Sequence, residues 1–153
     1  MARESVSGAP IGPLRQTREE NGPDARAAEL ARREHGVVGR GQLRTLGLGD
    51  EAIRHRLAHG RLHRLHPGVY AWGHRSIPKQ GWWMAAVLAS GPDALLSHRT
   101  AAALWGIRGY SGGAIHVTVP RKSTSSKRIR RHHSPLPADE VTLKDGDTGY
   151  LSP

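Results

Sequence analysis

Histidine and arginine carry most of the chemistry that this chain could perform. It holds ten His in 153 residues, and 23 Lys+Arg stand against 13 Asp+Glu, for a formal net charge of +10. His55 and His59 are four apart, a spacing that puts two imidazoles on one helical face. Such a pair can hold zinc, but no third ligand accompanies it in the sequence. His132-His133 reads as strand surface, and Ser97-His98 and Ser134 lack the context of a nucleophile elbow. Asp139, Glu140, Asp145 and Asp147 cluster, yet no Glu-x-Lys follows a strand, so a nuclease's magnesium-holding set is missing. Cysteine is absent, which excludes disulfides, thiolate nucleophiles and Cys-ligated metals. The expectation is a non-enzyme with no metal and no cofactor. What remains is arginine, whose planar guanidinium makes bidentate contacts with phosphate or guanine. A positive balance favours nucleic acid or an anionic membrane as partner. With no run of 18 apolar residues and no signal-like hydrophobic segment, the reading is a cytoplasmic protein without a membrane partner.

Those arginines need elements to aim them. Residues 1–23 mix Gly, Pro and balanced charge with few apolar groups, and are expected to form a disordered arm. From residue 24 to 74 the pattern predicts two short helices, a longer third, and a basic strand–turn–strand. Asp24 is the expected N-cap of the first helix, with Ala27, Leu30 and Ala31 at helical spacing and Gly36 at its end. Leu43, Leu46 and the stop Gly47 mark the second. The third opens at Asp50, its expected N-cap, and turns Ile53 and Leu57 inward. Its other side then presents Glu51, His55 and His59, flanked by Arg54 and Arg56. Pro67-Gly68 fits a type II turn, since Pro presets one φ and Gly supplies a positive one. This order is that of a winged helix-turn-helix, which places one helix in the DNA major groove. From Arg26 to Arg75 there are ten Arg against four acids, so positive charge is dense on this module. The candidate DNA-contacting residues are Arg40, Arg44, Glu51, Arg54, His55, Arg56, His59, Arg61, His63 and Arg64, with Arg64 on the wing gripping phosphate.

Beyond residue 74 the chain reads as a small α/β region, 75–153, giving an α+β protein in all. A helix from Pro78 carries Trp82 and Trp83, read as packing residues. A short strand at Ala94–Leu96 leads to a helix from Ser97 to Trp105, with Ser97 as N-cap. Gly109 to Gly113 reads as a linker. Ile115, Val117 and Val119 alternate with His116 and Thr118, the pattern of a half-buried strand. Ser123–Ser126 is a polar turn, and Ile129–Ser134 is expected to return as a hairpin partner. Arg121, Lys122, Lys127, Arg128, Arg130 and Arg131 form a second basic patch with no acid among them. Val141–Leu143 and Gly149–Leu151 look like strands entering further structure, so the region is expected to be incomplete at its C-terminus.

Several of these stretches together resemble the AbiEi-like antitoxin family of type IV toxin–antitoxin systems. They include His35-Gly36-Val37-Val38, Leu46-Gly47-Leu48, Ala52-Ile53-Arg54-His55-Arg56-Leu57, Gly60 through His66, and Gly68-Val69-Tyr70. The likeness continues through Ala85–Ala89, Leu96-Ser97-His98-Arg99, Ala101–Gly106 and His116-Val117-Thr118-Val119-Pro120. It implies a winged helix-turn-helix with a small α/β region, and a transcriptional regulator that represses its own operon. The implied partners are double-stranded operator DNA and a nucleotidyltransferase-like toxin. Gly39 replaces the usual Thr or Ser cap, at a cost of only a few tenths of a kcal/mol. Larger relatives append an endonuclease-like domain similar to very-short-patch repair nucleases, and this chain is expected to lack it. Two other readings therefore stay open: an endonuclease-like protein without its catalytic domain, and a toxin-neutralising interaction module built on residues 79–153.

Overall fold

The computed structural model describes residues 22–135, 139, 141–144 and 148–151, so residues 1–21 of the arm expected over 1–23 lie outside the described residues, while Gly22 and Pro23 belong to the start of the first helix. The first helix, α1 (Pro23–Arg33), uses Pro23 at its first position and Gly22 as N-cap. Asp24 therefore sits in the first turn, where a carboxylate favours the helix dipole, and is not the cap the sequence suggested. A strand β1 (Val37–Gly39) follows, then α2 (Arg40–Thr45), then α3 (Asp50–Ala58). At nine residues α3 is shorter than the eleven of α1, contrary to the expected longer third helix. It is capped by Gly49 and not by Asp50, because Asp50 already has helical geometry and spends its carboxylate elsewhere.

β2 (Leu62–His66) and β3 (Val69–Trp72) form the expected hairpin, with Gly68 at φ +73° in its turn. β1 adds to it on the β3 side, giving an antiparallel sheet of order β1-β3-β2. The α-β-α-α-β-β order is the winged helix-turn-helix layout. Its core joins Ala27 and Ala31 of α1, Val38, Leu43, Leu48, Ile53, Leu62 and Tyr70. A polar bracket fixes the α1–α2 geometry: Gln42 Nε2 donates to Glu34 Oε1 at 2.7 Å, while Gln42 Oε1 accepts from the Gly39 N–H at 2.7 Å. Gln42 thus does the work that a Ser or Thr cap at position 39 would share.

The second half is a five-stranded sheet of order β6-β5-β4-β8-β7 with helices α4 (Lys79–Ser90) and α5 (His98–Leu104). Its strands are β4 (Leu95–Leu96), β5 (Ile115–Val119), β6 (Ile129–His133), β7 (Val141–Lys144) and β8 (Thr148–Leu151). Whole-chain architecture is α+β. The hairpin expected after β5 is not formed: β6 pairs with β5 in parallel, with Ile115 opposite Ile129 and Val119 opposite His133. Residues 120–128 return along the sheet, so both isoleucines enter one core on the α4 face, beside Trp83, Val87, Leu96 and Val117. Arg131 secures that crossover. Its Nε donates to Ser90 Oγ at 3.0 Å, and other guanidinium nitrogens reach the carbonyls of Ala89 and Thr124.

α4 serves both halves. Trp83, Ala86 and Val87 belong to the five-stranded sheet's core, whereas Met84 and Ala85 cover Val37 and Val69 of the winged-helix sheet. The helix can lie this close only because residue 81 is glycine. A Cβ there would meet the His35 carbonyl oxygen at 2.6 Å.

Candidate nucleic-acid interface

The start of α2, the outer side of α3 and the hairpin turn enclose a groove of about 530 Å³. Arg40, Asp50, Arg54, Arg64 and Gly68 stand among the residues lining it, with Ile53, Leu57 and Tyr70 as its floor. Ile53 is buried as the helical pattern requires, while Leu57 is half-buried, so the inward face of α3 narrows toward its end. The hairpin turn is tied to α2 by the Arg40 N–H, which donates to the Gly68 carbonyl at 2.8 Å. α2 and the turn therefore hold a set spacing.

Charge on this side is concentrated and mostly uncompensated. Arg40 makes a two-pronged contact with Asp50, Nε to Oδ1 at 2.9 Å and Nη2 to Oδ2 at 2.6 Å. That hydrogen-bonded guanidinium, aided by the nearby charges of Arg44 and Arg54, holds the Asp50 carboxyl below its ordinary value. Arg44, Arg54 and Arg64 are exposed and have no carboxylate partner among the described residues. The groove is thus lined by three guanidiniums from three elements around a single acid, with Arg44 close enough to act on that acid.

Other sequence candidates are placed elsewhere or already occupied. Arg56 turns back toward α1, donating to Asp24 Oδ1 at 2.9 Å and to the Ala52 carbonyl at 2.8 Å. Its side chain is only 15% exposed, which sets it apart from the exposed arginines among the candidate DNA-contacting residues. Arg61 leans toward the same Asp24 at 3.6 Å. Glu51 is exposed, and His55 and His59 stack on each other with ring centroids 4.0 Å apart near the end of α3. His63 lies half-buried with Nε2 3.4 Å from the Gly73 carbonyl oxygen. In the second patch, Arg121, Lys122, Lys127, Arg128 and Arg130 are exposed. Arg128 lies over the Trp82 ring at 5.9 Å, and Arg131 is withdrawn into its clamp on α4.

Sequence reasoning missed one cluster. His98, His116 and His132 come together from α5, β5 and β6, and their nitrogens lie within 4.8 Å of one another. Burial, with the neighbouring charges of His98 and Arg130, pushes His116 and His132 below the ordinary imidazole value, and His132 and Arg99 add to the effect on His116. The period-two alternation of β5 did put His116 and Thr118 on the face away from the apolar core. Only the parallel pairing of β6 could add His132 to that face.

Comparison of the chain with curated proteins gives no match. Among the described residues no helix is long and apolar enough to cross a membrane. Residues 25–71, which run from α1 through the β3 hairpin strand, match the family model described as transcriptional regulator, AbiEi antitoxin. The segment that builds the arginine-lined groove is therefore the part of the chain that is similar to the AbiEi antitoxin family of transcriptional regulators.

Proposed function

We propose that the protein is a sequence-specific double-stranded DNA-binding regulator, antitoxin-like, that represses its own operon. The observation that supports this best is the convergence of Arg40, Arg54 and Arg64 from α2, α3 and the hairpin around one groove, with Arg44 near enough to act on its Asp50. In this reading residues 24–74 are the DNA-binding unit, α3 enters the major groove with Arg54 at base edges, and the hairpin is a wing whose Arg64 grips phosphate. Asp50 keeps Arg40 in place until a phosphate competes for it. Residues 75–153 form the small α/β region, which offers its surface to a nucleotidyltransferase-like toxin. The protein acts by binding and is not an enzyme.

Fluorescence anisotropy on duplexes from the gene's own upstream region tests this. Four arginines neutralising about four phosphates give a log–log salt slope near −3.6, or roughly a hundredfold loss between about 50 and 200 mM salt. Arg54→Ala should cost about 1–3 kcal/mol on the cognate site and little on random DNA. Arg64→Ala should weaken both DNAs alike and lower the slope by about one. Absence of binding at the low salt, or the same loss from both variants on both DNAs, overturns the assignment.

A further inference from the structure

His98 is the first residue of α5, and His116 and His132 lie on β5 and β6, on the sheet face turned away from α4. His116 Nδ1 and His132 Nε2 are 2.9 Å apart, and the His98 ring stacks on His132 with centroids 3.9 Å apart. We propose that His98, His116 and His132 form a three-nitrogen binding site for a borderline divalent transition metal, zinc first among them. The convergence is not a by-product of one helix face or one strand. Three elements separated in sequence each deliver one imidazole.

The backbone around the cluster is arranged to hold these rings. His98 has φ +51°, a conformation uncommon for a residue with a side chain and one found where local strain serves a site. Ser97 is fully buried, and its N–H donates to the His116 carbonyl at 3.0 Å. The His116 N–H in turn donates to Thr100 Oγ1 at 2.9 Å, stitching the start of α5 to β5. Ser97 Oγ does not cap the helix; it lies 3.0 Å from His98 Nδ1. A hydroxyl there orients the ring as an outer-sphere partner does and leaves Nε2 for the ion. Thr118, opposite His132 in the strand register, is buried with an Oγ1 that has no partner among the described residues.

The donor set selects the metal. Imidazole nitrogens without carboxylates suit zinc, nickel or copper, whereas magnesium and calcium require oxygen ligands. His98 is exposed, so three protein ligands leave a position open to solvent, the arrangement of an open zinc centre. Arg99 and Arg130 both act electrostatically on His116, and their charge favours an anion as the fourth ligand. Binding is proton-neutral. The N–H that now spans the 2.9 Å contact moves to the other nitrogen of its own ring, and both facing nitrogens then offer lone pairs.

The full-length chain, stripped with a chelator, is titrated with Zn²⁺ alone against a chromophoric competitor, and Co²⁺ is used as a spectroscopic probe. One ion per chain is expected, with Co²⁺ bands of four-coordinate intensity and no competition from Mg²⁺. His98→Asn suits an exposed position with positive φ and should fold normally. It should weaken Zn²⁺ by more than the roughly 10–100-fold that losing an outer-sphere partner costs, and should change the Co²⁺ spectrum. His116→Asn and His132→Asn should do the same, and His59→Asn should leave both readouts unchanged. The proposal is overturned if the intact chain takes up no Zn²⁺, if a folded His98→Asn binds Zn²⁺ and Co²⁺ as before, or if His59→Asn abolishes uptake.

Discussion

Arg56 and His66 show how a single side chain's surroundings decide its role. Arg56 shares the exposed run of α3 in sequence but spends its hydrogen bonds on Asp24 and the Ala52 carbonyl. Removing it leaves Asp24 without its closest ion-pair partner, so Arg56→Ala should destabilise the fold by about 1–3 kcal/mol. Any loss of DNA affinity should then be equal for cognate and random duplexes. A variant as stable as the parent that loses only cognate binding would place Arg56 among the base-reading residues. His66 ends β2 with its Nε2 buried and without a partner among the described residues, and burial, Arg128 and Arg131 hold its pKa below 6.5. Above that value the ring is neutral in both folded and unfolded chains and adds no pH dependence. As pH falls below it the unfolded chain takes up the proton first, so stability declines until the folded ring also protonates. Thermal unfolding followed from about pH 7 to about pH 5 should fall less steeply in His66→Gln. His116 and His132 shift in the same direction, so the slope should shrink without vanishing. Identical slopes would mean that His66 titrates as it does in water.

At the scale of elements, the position of α4 matters most, and Gly81 sets it. The helix comes so close to the α1–β1 turn that a methyl group at residue 81 would lie 2.6 Å from a backbone oxygen, which cannot swing aside like a side chain. Gly81→Ala raises intrinsic helix propensity by about 1 kcal/mol, and would stabilise an exposed helix. Here overpacking should win, for a net loss of about 1–2 kcal/mol seen as an earlier denaturation midpoint. A gain in stability would show that the two elements can separate without cost. The hairpin is held differently, by Gly68 in its turn and by the Arg40 N–H on the Gly68 carbonyl. The groove beside α3 therefore depends on backbone contacts, and substitution of its arginines should leave its shape intact.

Taken whole, the molecule has two sheets sharing one helix. Met84 and Ala85 cover Val37 and Val69, while Trp83, Ala86 and Val87 fill the opposite core. Met84→Ala should cost about 2–5 kcal/mol, because it opens a cavity against the winged-helix sheet. If the shared helix couples the halves, tryptophan fluorescence and far-UV circular dichroism should report the same single transition in that variant as in the parent. Two separated transitions would show that the halves unfold independently.

The sequence alone determined much of the first half, since its signals are local. Gly47 closing the α2 turn, Pro67-Gly68 bending the hairpin and Ile53 facing inward each express a backbone or periodic preference that a few neighbouring residues settle. The family likeness was legible there too, and residues 25–71 are where the match falls. Other features depended on partners distant in the chain. Whether β6 returned antiparallel or crossed over in parallel was decided by the burial of Ile129 beside Ile115, not by the polar turn between the strands. That choice also brought His132 to His116 and sent Arg131 to α4. Arg56 was misplaced for a related reason: helical spacing gives a side chain's direction, but the carboxylate that captures it lies on another helix. Local propensity acts on a few consecutive residues, whereas strand order, ion pairs and ligand clusters appear only when distant segments pack together.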